Sequence, residues 1–198
     1  MKTIEELINE LFDHLCGKQL VSCIKYPFYS DNETKRISEQ EAKQVFIHLL
    51  EKYKISYSVE TPTINKYKFG DSPVRDKNGI SARIDVSTYS NDTVDHHIEF
   101  KALNPDIKCY AKDFLKLYNE GKQGGINYFI QIISKGDKGT INSLSEKYFK
   151  CRKYRNNRDK TVKVYIINLD KKSIYSFDLK TIQSREALEN QMKSLLES

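Results

Sequence analysis

The stretch INYFIQIIS, residues 126–134, runs almost without interruption through apolar residues. A strand of this pattern lies inside a sheet with both faces covered, whereas a strand with one wet face alternates apolar and polar residues. The chain must therefore supply covering elements on two sides. Two alternating segments precede the run: ISARIDVSTYS (80–90) and VDHHIEFKA (94–102) read as strands separated by a short Asn-Asp turn. Between them and the apolar run, DIKCYAKDFLKLYNEGKQGG (106–125) repeats Ile107, Tyr110, Phe114, Leu117 and Tyr118 at helical spacing before glycines end it.

The flanks extend this pattern. TIEELINELFDHLCG (3–17) has Thr3 and Glu6 in capping-box spacing and Ile4, Leu7, Ile8, Leu11 and Leu15 on one helical face. Ser38 precedes EQEAKQVFIHLLEKYK (39–54), with Glu41 placed to close a second capping box and Ala42, Val45, Phe46, Leu49 and Leu50 as the apolar stripe. ISYSVETPT (55–63) reads as a strand ending near Pro62, and KYKF (66–69) leads into a turn-rich loop. VKVYIINLD and SIYSFDL form a late strand pair, and SREALENQMKSLLES closes the chain as an amphipathic helix. The expected fold is α/β (α+β): a single domain over 1–198 with a mixed central sheet flanked by helices, its core order helix, strand, strand, strand, helix, strand over about 38–134, followed by an extension over 135–198.

Period 2 sets Ile98 and Phe100 on one face of their strand and Glu99 and Lys101 on the other. Asp85, between Ile84 and Val86, also points away from its apolar neighbours. If these two strands pair, both carboxylates meet at one place beside Lys101. Two carboxylates suit a hard cation such as Mg²⁺. A metal there polarises a phosphate and lowers the pKa of a bound water, and a lysine beside it orients or helps deprotonate that water and stabilises developing charge.

With RID at 83–85 and EFK at 99–101 on successive strands, within the order αβββαβ, the chain resembles the PD-(D/E)xK nuclease superfamily, the restriction-endonuclease-like fold. Ile84 stands where the motif's name has proline, and no Q-x-x-x-Y signature of the RecB-like branch follows Lys101. The resemblance implies a Mg²⁺- or Mn²⁺-dependent endonuclease or exonuclease hydrolysing phosphodiester bonds, with DNA as the expected substrate. Asp85, Glu99 and Lys101 match the catalytic positions, and Asp85, Glu99 and the backbone carbonyl of Phe100 match the metal ligands. Members also place an acid on the first core helix; Glu41 and Glu39 are the candidates, and Glu60 on the first strand is a further one. A homodimer or partner proteins in DNA restriction, repair or mobile-element defence would follow by analogy.

Blander readings stand beside these. Glu99 and Lys101 also suit a salt bridge on an exposed strand. His97 shares their face and reads as a partly exposed strand histidine, while His96 reads as a satisfied core residue. Lys112, Asp113 and Lys116 read as a solvated helix face, with Lys116 as a candidate phosphate contact.

The net charge of +6 is local. Residues 147–160, KYFKCRKYRNNRDK, hold seven of the 33 basic and one of the 27 acidic residues, so the rest of the chain balances at 26 of each. Lys147, Lys150, Arg152, Lys153, Arg155, Arg158 and Lys160 are thus expected to meet nucleic acid, with Tyr148, Phe149 and Tyr154 either stacking on bases or anchoring the segment to the core. A nucleic-acid-binding module with a dead or repurposed site, or a protein-interaction domain whose patch meets an acidic partner, are the alternative functions. Cys16, Cys23, Cys109 and Cys151 form no CxxC pair, so a zinc ribbon is not expected. No apolar run approaches the ~20 residues of a membrane span, and the glutamates of MKTIEELINELF do not suit a signal peptide. A cytoplasmic protein with no membrane contact is expected.

Overall fold

The computed structural model describes residues 2–24, 38–155 and 160–196. Helices α1 (Ile4–Leu15) and α2 (Glu39–Lys52) come first, then β1 (Ser56–Lys68), β2 (Val74–Arg75), β3 (Ile80–Ser90) and β4 (Thr93–Ala102). Helix α3 (Ile107–Asn119), β5 (Ile126–Ile133) and α4 (Lys138–Cys151) follow, with a 3₁₀ turn at Arg152–Tyr154. Strands β6 (Thr161–Asn168) and β7 (Ser173–Asp178) and helix α5 (Arg185–Leu196) complete the chain. The strands form one seven-stranded mixed sheet in the order β2-β1-β3-β4-β5-β6-β7. Neighbours pair antiparallel except for β4 with β5 and β5 with β6, which are parallel and joined through α3 and α4. None of the described helices is long and apolar enough to cross a membrane.

The apolar run is β5, at the middle of the parallel part, and both of its faces are covered. Tyr128, Ile130 and Ile132 face a cluster built from α1 and α2. Phe129 and Ile133 face a second cluster built from α3, α4 and α5. The two polar side chains of β5 are satisfied inside the structure, as burial requires. Asn127 donates to the carbonyls of Leu117 (2.6 Å) and Glu120 (3.2 Å) and accepts the His97 N–H at 2.9 Å. Gln131 Oε1 accepts the Tyr110 hydroxyl at 2.7 Å.

Strand β1 continues past Pro62 instead of ending there. Its register to β3 shifts between Pro62 and Lys66, and a bulge is one of the few sheet positions where the missing N–H of proline is tolerated. The bulged stretch is fastened by Glu120, buried just beyond α3. Its carboxylate accepts the N–H groups of Ile64 (2.9 Å) and Asn65 (3.0 Å) and the Tyr67 hydroxyl (2.5 Å).

At the start of α2 the Ser38 hydroxyl takes the N–H of Gln40 at 3.1 Å. His97 is buried, not partly exposed, because α3 covers that face of β4. Its Nδ1 lies 2.7 Å from the Ser87 hydroxyl. Burial, only partly opposed by the Glu120 carboxylate, pushes its pKa from 6.5 to about 4. A histidine kept neutral in the fold binds its proton more readily when unfolded. Stability should therefore fall with pH between about 6.5 and 4, by on the order of 3 kcal/mol for the full shift. Urea denaturation across that range should show the loss, and His97→Gln should flatten the slope. An unchanged slope in that variant would place the acid sensitivity elsewhere.

Candidate active site

The paired register of β3 and β4 runs from Ser90–Thr93 to Val86–Ile98 and stops there. The next positions are Asp85 and Glu99. Beyond the last pair, Asp85 Oδ2 accepts the Phe100 N–H at 2.8 Å, so a side chain takes over where the backbone ladder ends. The N–H and C=O of one strand residue point to the same side, so the Phe100 carbonyl also faces this fork. On the other edge of β3, the pairs Val59–Val86 and Thr61–Ile84 bring Glu60 beside Asp85. Glu60 has a φ of +49°, in the left-handed region that non-glycine residues rarely adopt.

An open cleft of about 420 Å³ lies over the fork. Asp85, Glu99 and Lys101 all line it, together with Glu39 and Glu60; Glu41 does not. Glu39 Oε1 also accepts the Ala102 N–H at 3.3 Å, which ties the start of α2 to the end of β4.

The ion pairs differ from the expected Glu99–Lys101 surface bridge. Glu99 is 2% exposed, and its partner is Lys116 of α3, whose ammonium lies 2.5 Å from Oε1. Lys116 is not on a solvated face: it is 3% exposed, lies 3.1 Å from Asp113 and donates to the Arg83 carbonyl at 2.8 Å. Lys101 instead pairs with Asp113 at 2.9 Å and Glu39 at 3.7 Å. The contacts at Glu99 Oε1 and Asp113 Oδ2 are close in distance but lie off hydrogen-bond angles, leaving both oxygens with acceptor capacity. Lys43 of α2 bridges Glu60 (2.9 Å) and Asp85 (3.4 Å).

Five carboxylates thus share three ammoniums in the inner cluster, with Arg83 and Lys112 exposed at the mouth. Burial, with the Asp113 and Asp85 carboxylates nearby, pushes Glu99 well above the usual carboxylate range against the pull of Lys116. Burial disfavours charge on Lys101, yet Asp113 and Glu39 outweigh it and raise its pKa. Lys116 behaves alike, raised by Glu99 and Asp113. Both lysines stay ammonium at neutral pH, so Lys101 is not poised to take a proton from water.

Sequence reasoning missed Lys43 and misplaced Asp113 and Lys116. A signal existed for each. Lys43 stands three residues before Phe46 and seven before Leu50, on the apolar stripe of α2, and Asp113 and Lys116 are three apart on a helix that is otherwise core-facing.

The basic segment divides. Lys147 is committed to Asn104 and Pro105, and Lys160 donates to the Glu120 carbonyl at 2.6 Å. Lys150 pairs with Glu146, and Arg152 donates to the Gln183 carbonyl. Lys153 and Arg155 are exposed, and Arg158 lies outside the described residues. Tyr148 and Tyr154 are buried in the core, so these two anchor the segment; only Phe149 is partly accessible.

No side-chain group of three or more His, Cys, Asp or Glu among the described residues is arranged to hold a metal ion. A cation at the fork would be held by two carboxylates, Asp85 and Glu99, and the Phe100 carbonyl. That all-oxygen set, completed by water, fits Mg²⁺, which is commonly held through one or two carboxylates. Comparison of the chain with protein-family models, curated proteins and solved structures found no match.

Removing one partner of a buried ion pair strands the other charge. Lys116→Met should cost about 3–5 kcal/mol at pH 8 in urea denaturation. The loss should shrink as the pH is lowered, because burial already raises Glu99 and its protonation removes the stranded charge. A variant as stable as wild type throughout would show that Lys116 does not balance the cluster.

Proposed function

We propose that the chain is a metal-dependent nuclease that hydrolyses phosphodiester bonds, with DNA the expected substrate, on a site like that of the PD-(D/E)xK nucleases. The observation that carries this reading is the fork itself: Asp85, Glu99 and Lys101 converge on one cleft where the β3–β4 ladder stops, and the backbone of Phe100 turns the same way. Apart from the two-residue β2 inserted after β1, the element order α2-β1-β3-β4-α3-β5, with β4 and β5 parallel, supports the resemblance.

A bound Mg²⁺ or Mn²⁺ would supply Lewis acidity toward a phosphate oxygen and lower the pKa of a coordinated water. Asp85 and Glu99 would hold it, and because burial favours the neutral form of Glu99, metal uptake would compete with a proton there. Lys101, fixed between Asp113 and Glu39, donates hydrogen bonds. It orients the attacking water and stabilises the charge that builds on the phosphate oxygens. Hydrolysis adds the water oxygen to phosphorus and breaks one P–O ester bond; one of the water's protons passes through solvent to the departing alkoxide, and the other stays on the new phosphate monoester until bulk water takes it. Arg83 and Lys112 at the mouth offer positive charge to the flanking phosphates.

One observation favours a second reading, a nucleic-acid-binding module with a metal-free site. Lys43 and Lys116 already contact Asp85 and Glu99, so internal ammoniums take part of the neutralisation a cation would provide. Calorimetric titration with Mn²⁺ in two buffers of different ionisation enthalpy separates the readings. The nuclease should bind at millimolar metal or below with release of up to about one proton, and Asp85→Asn should abolish the heat. With plasmid and linear DNA and Mg²⁺, Lys101→Met should lower the cleavage rate by roughly 10²-fold or more while DNA binding stays within about twofold. Absence of metal uptake in the wild type, or full activity in the Lys101 variant, would overturn the nuclease reading.

A further inference from the structure

A second concavity, about 440 Å³, opens where the start of α3 meets the end of α4 and the 3₁₀ turn. Its floor is apolar, with Ile107, Ala111 and the partly accessible ring of Phe149, and Lys108, Lys150 and Lys153 stand around it. This volume lies within the range of small-ligand pockets. The cations are exposed. Two are engaged in surface ion pairs, Lys108 with Asp71 and Lys150 with Glu146, of the weak, solvent-screened kind. They are free to exchange those partners for a phosphate.

The concavity is joined to the acid cleft. A smaller hollow shares Phe69 and Lys112 with the cleft and Asp71 and Lys108 with the second concavity. Along α3, Lys116, Lys112 and Lys108 recur every four residues, a helical spacing that puts them on one face about 6 Å apart along the axis. Lys116 lies deepest, against Glu99. Lys112 sits with its ammonium 4.9 Å from the centre of the Phe69 ring, and Lys108 is at the lip of the apolar floor. The Arg152 guanidinium lies over the Phe149 ring, 5.1 Å from its centre. A line of positive charge thus leads from the carboxylates to an aromatic-lined hollow.

A ligand that matches both halves carries repeated negative charge and an exposed planar ring. A duplex presents the charge but hides its base faces in the stack, whereas a single strand presents both. We propose that the hollow between α3 and α4 takes an unpaired nucleobase, stacked on Phe149, from a single strand whose phosphates run along Lys108 and Lys112 to the acid cleft. The end of this path rests on the nuclease reading; the base site itself does not. The substrate class that follows is a strand end, overhang or flap in preference to a blunt duplex.

Fluorescence anisotropy in EDTA, with cleavage switched off, tests the base site. The probes are a short dye-labelled oligothymidylate, an abasic strand of the same length and a blunt duplex. The oligothymidylate should bind wild type more tightly than either of the others. Phe149→Leu and Phe149→Ala should lose roughly 5- to 150-fold for the oligothymidylate, the range set by stacking on one base, and should leave the abasic strand unaffected. Phe149→Tyr should restore the difference, and circular dichroism checks the folding of each variant. Equal affinity of wild type for the natural and abasic strands, or full affinity in a folded Phe149→Leu variant, would overturn the proposal. The two readings fail separately. Base-dependent binding without cleavage in Mg²⁺ removes only the nuclease, and cleavage with base-independent binding removes only the pocket.

Discussion

The Lys116 ammonium sits where β3, β4 and α3 meet, touching Glu99, Asp113 and the Arg83 carbonyl at once. Without a cation at that point, Glu99 could not lie 2% exposed under a helix, because an isolated buried carboxylate gives up its charge or its place. With it, α3 packs its apolar side onto β5 while one strand of the sheet keeps a polar residue beneath the helix. The opening of the β3–β4 ladder depends on the same junction. The ladder stops at Val86–Ile98, and the groups released there are met by the Asp85 carboxylate and the Lys116 ammonium.

The charge arithmetic of the cluster links structure to activity. Five carboxylates against three ammoniums leave the inner cleft short of positive charge. Burial first, and the neighbouring Asp113 and Asp85 carboxylates after it, make Glu99 hold a proton more tightly in the free protein. The charge deficit would also be answered by a divalent cation, which would compete with that proton and find acceptor capacity on Glu99 Oε1, whose present contact is poorly angled. Lys43 moderates both outcomes, since it competes for Asp85 from the other side. A nuclease and a metal-free binding module would therefore differ by the balance between one internal lysine pair and one external ion, on the same backbone.

The distribution of positive charge outside the cleft follows from packing. The basic stretch 147–160 reads as one patch, but Tyr148 and Tyr154 turn into the core, Lys147 fastens the loop before α3, and Lys160 fastens the end of the Glu120 turn. Among the described residues of the stretch, Lys150, Lys153 and Arg155 remain exposed, and Lys150 and Lys153 share one hollow with Lys108 of α3. The usable patch thus combines two helices that composition does not connect.

The sequence by itself determined most of the elements, though not the full length of β1, nor β2 or α4, and it determined the faces of the central strands. Helical period placed the stripes of α1, α2 and α3, the unbroken run made β5 a doubly buried strand, and alternation put Glu99 and Lys101 opposite Ile98 and Phe100. These are local properties, set by backbone geometry within a few residues. The convergence of Asp85, Glu99 and Lys101 was legible as well, because a short turn leaves two adjacent strands little choice of neighbour. The partners were not. Lys43 reaches Asp85 across 42 residues, and Lys116 reaches Glu99 because α3 crosses over β4. Whether an acid and a base on one strand face pair with each other or with other elements depends on which helix covers them and how deeply. Only the tertiary structure decided that, since burial sets the dielectric that makes such pairs strong and their absence costly.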